Sequence, residues 1–198
     1  MKQHRSWVPR ARWSAVIAVA VLAGVAGTAL AATSHRTHAT KYPGQKIARE
    51  LAKTKAALDR FRSVDAAKAA GYVAASPCAS TPIDKNQTSY GGGMGIHYMN
   101  MAFMAPGAPM VATKPPVLVY APKAGGGLEL VAAEYFKPDA DQNVKSDGDR
   151  PSIFGRAFDG PMLGHAPGMP IHYDLHVWLW KHNPSGMFAS WNPDVTCP

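Results

Sequence analysis

Ten consecutive residues constrain this chain most. From Ile171 to Trp180, the odd positions are Ile171, Tyr173, Leu175, Val177 and Leu179, and the even ones are His172, Asp174, His176, Trp178 and Trp180. Successive side chains of a strand point to opposite faces, so the segment predicts a strand with one apolar face and one bearing two imidazoles, a carboxylate and two indoles. Exposed tryptophan normally has a reason, so the second face is ill suited to plain solvation. The composition agrees with short strands joined by loops. There are 18 Gly and 17 Pro in 198 residues and only 17% charged residues, which argues against coiled coils and helical repeats.

Three further segments read as strands: 95–103, 117–121 and 128–136. The Pro122-Lys123-Ala124-Gly125-Gly126-Gly127 run between the last two is turn chemistry and predicts a hairpin. Residues 137–170 carry Pro138, Asp139, Asp141, Asp147, Gly148, Asp149 and Pro151, which is loop composition. Before the strands, residues 45–70 are rich in Ala, Lys, Arg, Leu and Glu, with Ile47, Leu51, Leu58 and Phe61 close to helical spacing. Ser63 followed by Asp65 predicts a fresh helix start, and Gly71 a helix end, giving two consecutive helices that break near Arg62 and Ser63. The fold class expected is α+β: N-terminal helices packed on a mainly antiparallel sheet, with closure into a barrel-like sheet left open.

The N-terminus predicts export. Lys2, Arg5, Arg10 and Arg12 precede an uncharged run over 14–32, and Ala29-Leu30-Ala31 suits signal-peptidase cleavage. Retention as a membrane anchor is the other reading, although the Ala and Gly content makes the run weakly apolar. The expected organisation is a signal peptide over 1–31, a flexible leader over 32–44 containing His35 and His38, and one globular domain over 45–198. Cleavage lowers the net charge from +8 to +4, and no basic stripe interleaved with aromatics remains, which excludes nucleic acid as a partner. Export also favours a bridge between Cys78 and Cys197, the only cysteines, over two free thiols.

Parity brings out the chemistry. His97 shares a face with Met99, Met101 and Phe103, and Glu134 shares one with Leu128, Leu130, Ala132 and Phe136. A buried carboxylate in such a row needs compensation, and a metal ion held with His97 and His176 would supply it. The expected metal ligands are therefore His97, Glu134 and His176, with zinc, copper and iron not distinguished. His172, Asp174 and His165 stand as neighbouring or acid–base groups. A structural polar network, or a pocket using these groups only for hydrogen bonds, remains open beside this reading. Met94, Met99, Met101 and Met104 around His97 suit copper or, more simply, core filling.

Other signatures fail or carry little. Asp139, Asp141 and Asn143 begin a calcium-loop spacing that breaks at Val144 and Arg150. The Gly91-Gly92-Gly93-Met94-Gly95 run lacks a following helix pattern and reads as a flexible approach to His97. Asn86-Gln87-Thr88 fits a glycosylation acceptor. Asn183-Pro184-Ser185-Gly186 and Trp191-Asn192-Pro193 read as turns that fold the tail back on the domain.

The segments Ala69-Ala70-Gly71-Tyr72, Gly93-Met94-Gly95-Ile96-His97-Tyr98, Val131-Ala132-Ala133-Glu134-Tyr135 and Leu175-His176-Val177-Trp178-Leu179-Trp180, with Asn183-Pro184 and Asn192-Pro193, resemble a group of small exported bacterial proteins. The resemblance spans about residues 60–198 and implies a bacterial, exported setting without an activity. The function expected is a secreted metal-binding domain, enzymatic or not, acting on a small molecule or extracellular ligand, with no stable membrane span after processing. The alternative is a non-catalytic binding domain that uses Trp178, Trp180 and Trp191 as a recognition surface. The sequence leaves the oligomeric state open.

Overall fold

The computed structural model describes residues 43–81, 91–105 and 107–198. The expected signal peptide, His35, His38 and the Asn86-Gln87-Thr88 acceptor lie outside the described residues. The first helix, α1 (Pro43–Leu58), begins inside the segment expected as leader. A 3₁₀ turn (Asp59–Arg62) and α2 (Val64–Ala69) follow it. The break falls where expected, because the Ser63 hydroxyl accepts the Ala66 N–H at 3.3 Å and so satisfies a donor the new helix leaves open. Leu58 and Phe61 are buried, and Ile47 and Leu51 pack against them along one stripe.

The strands are β1 (Val73–Ala74), β2 (Ala79–Thr81), β3 (Gly92–Met99), β4 (Val117–Pro122), β5 (Leu128–Pro138), β6 (Ser152–Ile153), β7 (Arg156–Ala157), β8 (Asp159–Met162) and β9 (His172–Val177). They form an antiparallel sheet in the order β1-β3-β4-β5-β9-β8, with β2 also on β3 and β6–β7 a separate pair. The α+β class holds. The sheet is open, so it is not a barrel: β1 and β8 end the order without pairing to each other.

Three local expectations are corrected. The strand expected over 95–103 ends at Met99, because the Asn100 side chain accepts the Ala102 N–H at 3.1 Å and starts a 3₁₀ turn (Met101–Phe103). Met101 is therefore exposed and Phe103 packs with the helices, so neither stays in the His97 row. The glycine run is no flexible approach, since it forms the first half of β3. Gly92, at φ +123°, meets the Asn192 backbone where any side chain would collide. The stretch 137–170 is not loop throughout, since it contains β6, β7 and β8.

Each face of the sheet has its own core. On one side Tyr98, Leu118, Tyr120, Leu130, Ala133, Tyr135, Tyr173, Leu175 and Val177 pack against the helices. On the other, Val117, Val119, Ala121, Val131 and Ala132 meet Trp178 and Val195 from the C-terminal tail. That tail turns back as expected, with the Gly186 N–H donating to Asn183 O and the Val195 N–H to Asn192 O. The disulfide Cys78–Cys197 anchors its end across a separation of 119 residues. A crosslink over such a loop stabilises by about 4 to 5 kcal/mol through the unfolded chain. Among the described residues no helix is long and apolar enough to cross a membrane.

Candidate metal centre

Pairing in the sheet assembles the site on the face away from the helices. Directly opposed residues on antiparallel strands share a face. Met99 opposes Val117, Val117 opposes Glu134, and Glu134 opposes His176, which makes one row across β3, β4, β5 and β9. His97 opposes Val119 in the next row. His97 and Glu134 thus stand on strands separated by β4, roughly 9 to 10 Å in backbone terms. Their long side chains reach toward each other above Val117 and Val119.

The reach closes. His97 Nε2 lies 3.4 Å from Glu134 Oε2, and His176 Nε2 lies 3.8 Å from the same oxygen. His176 is 1% exposed and Glu134 6%. These separations are too long for hydrogen bonds, and Glu134 Oε2, His176 Nδ1 and His176 Nε2 have no partner. The 3.4 Å separation is close to the edge of a tetrahedron around one ion, about 3.3 Å for ligand bonds of about 2.0 Å, and the 3.8 Å separation exceeds that edge by about 0.5 Å. His97, Glu134 and His176 form a group able to hold a metal ion, as the sequence predicts.

Burial disfavours the charged form of all three groups without a cation. It pushes the His97 imidazole down to about 4, with help from His165, and the His176 imidazole down to about 3, with help from His97 and His165. It also drives Glu134 well above the usual carboxyl range, and the nearby Asp174 adds to the effect. The His–Glu contacts bring together three groups that can each offer a ligand atom to one cation.

One partner of the site escaped the sequence. The Ser76 hydroxyl accepts the His97 backbone N–H at 3.1 Å and lies 3.0 Å from His97 Nδ1. Holding Nδ1 this way turns Nε2 toward Glu134. No spacing announces Ser76: it sits beside His97 because the Ala75 N–H donates to His97 O.

The other sequence candidates form a second group beside the first. His165, His172 and Asp174 also bring ligand atoms together within 4.8 Å. His172 and Asp174 are buried, His172 stacks on Phe136, and His165 is exposed. Burial, aided by Asp159, pushes the Asp174 carboxyl up to about 7. A cavity of about 400 Å³ is lined by His97, Glu134 and His176 of the first group and by His165 and Asp174 of the second, with Met94, Met99 and Met169 among its apolar walls. Met101 and Met104 take no part in that lining, so the four methionines expected around His97 do not gather there.

Two expectations about faces are corrected. On β5 the register against β4 shifts between Val119 and Tyr120, leaving Val131 as an extra residue. Leu128 and Leu130 consequently join the helix side, away from Ala132 and Glu134. Trp178 and Trp180 do not share a face. Trp178 is buried on the tail side, its Nε1 donating to Ala189 O at 2.6 Å. Trp180 packs on the helix side, its Nε1 donating to Asp59 Oδ1 at 2.7 Å. Alternation stops at Val177, where β9 ends.

The chain matches no family model, no curated protein and no solved structure.

Proposed function

We propose that this chain is an exported bacterial metal-binding protein whose His97, Glu134 and His176 hold one transition-metal ion, and that the centre serves a metal-dependent enzyme acting on a small molecule in the adjoining cavity. One observation carries the reading: buried Glu134 Oε2 faces His97 Nε2 and His176 Nε2 at ion-sharing distance, with no hydrogen bond to satisfy it. Leaving a carboxylate so placed costs several kcal/mol, and a bound cation removes that cost. Nitrogen, nitrogen and oxygen donors suit zinc and iron better than a thioether-rich copper site. Three protein ligands leave positions for water or substrate, where the ion supplies Lewis-acid chemistry.

This chain's own residues contribute position and enclosure. Ser76 fixes the His97 ring, β4 forms the floor, and Met94, Met99 and Met169 supply apolar walls. The disulfide and the charged, then apolar, N-terminal sequence are what support export. Elemental analysis and melting with and without chelator test the reading on the purified mature protein. We expect at least one stoichiometric transition-metal ion and a melting temperature that chelation lowers. Metal-free protein whose melting ignores both chelator and added zinc would overturn it.

A further inference from the structure

The geometry points to a second divalent-cation site beside the first, formed by His165, His172 and Asp174, so that the cavity holds a two-metal centre. The inference rests on a different set of atoms from the proposed function and stands or falls separately from it.

His172 supplies the deciding detail. Its Nδ1 lies 3.0 Å from Pro170 O, and a carbonyl oxygen can only accept, so Nδ1 carries the hydrogen. In the neutral ring this leaves Nε2 as a bare lone pair, and Nε2 faces Asp174 Oδ2 at 3.9 Å. The distance is too long for a hydrogen bond. Asp174 Oδ1 also has no partner, although the residue is only 4% exposed. A ligating imidazole commonly donates its other N–H to a backbone carbonyl, which orients the ring toward the metal. His172 shows that arrangement.

The third ligand comes from outside the sheet. His165 sits in the segment between β8 and β9, with its ring centroid 5.3 Å from that of His172. All three residues offer ligand atoms within 4.8 Å of one another. An exposed ligand on a connecting segment gives the second ion a route in from solvent. Asp174 and His176 are two residues apart on the same face of β9, a separation of about 7 Å along the strand. Two ions so placed would stand beside one cavity, which His97, Glu134, His176, His165 and Asp174 line.

Zinc titration of the metal-free mature protein, followed by elemental analysis, tests this. We expect two equivalents in the wild type, one in His165→Ala and one in His97→Ala, with none left in the double variant. His165 is exposed, so its replacement should leave melting of the chelated protein unchanged and report on the site alone. Asp174→Asn should likewise lose one equivalent. A wild type that binds a single equivalent, abolished by His97→Ala and unaffected by His165→Ala or Asp174→Asn, would overturn the second site and leave the proposed function standing. A single equivalent lost in His165→Ala and kept in His97→Ala would support the second site and defeat the first.

Discussion

Glu134 and His176 are directly opposed on β5 and β9, and Glu134 Oε2 stands 3.8 Å from His176 Nε2 without a hydrogen bond between them. A structural pair at this depth would close to about 2.8 Å and share a proton. The open separation leaves room for a shared cation, and it makes the two readings separable by experiment.

Glu134→Ala and His176→Ala should each lower zinc affinity by at least about tenfold, since either removes one of three protein ligands. Glu129→Ala is the control. Opposed to Ala121, it falls on the same sheet face as Glu134, but its carboxylate pairs with Lys181 at 3.3 Å. Its loss should leave metal content unchanged. In metal-free protein, Glu134→Gln should melt no lower than wild type, because the buried Oε2 of the carboxyl it replaces has no hydrogen-bond partner. A structural network instead predicts a loss of about 3 to 5 kcal/mol by denaturant unfolding.

Metal binding should release protons and strengthen as pH rises, and the sign follows from the direction of each shift. In the metal-free fold, Glu134 holds its proton well above the usual carboxyl range and Asp174 holds its own up to about 7. Groups raised in this way stabilise the metal-free protein at low pH and lose that contribution as pH rises through their folded values. A cation must displace the Glu134 proton, so affinity strengthens with rising pH. His97 and His176, pushed down to about 4 and 3, are already neutral near pH 6 and release nothing there. Calorimetry of zinc binding in buffers of different ionisation enthalpy measures the proton count, and a count of zero would contradict this assignment.

Much of the site was legible because strand parity survives in β9, where His172, Asp174 and His176 share a face, and in the His97 part of β3. Convergence was not legible. It depends on β9 pairing with β5, which a separation of dozens of residues does not announce, and on the His97 side chain crossing β4 to reach Glu134. The misplaced Leu130 shows where alternation fails, since the extra Val131 reverses parity in mid-strand. Trp180 shows the same at a strand end. Barrel closure was equally beyond the pattern, because alternation describes faces and leaves the edges unspecified.

Ser76→Ala should weaken zinc binding by about 10- to 100-fold while leaving the three ligands in place, because it frees the ring of His97. Competition against a chromophoric chelator reads the change. Unaltered affinity would mean that the Ser76 contact holds the backbone alone.

Diffraction from crystals of the metal-loaded protein, recorded on both sides of the metal's absorption edge, tests the central claim most directly. The account predicts an anomalous peak about 2.0 to 2.2 Å from His97 Nε2, His176 Nε2 and a Glu134 carboxylate oxygen. No peak among these atoms, with His97 or His176 closed onto Glu134 in an ordinary hydrogen bond, would contradict it.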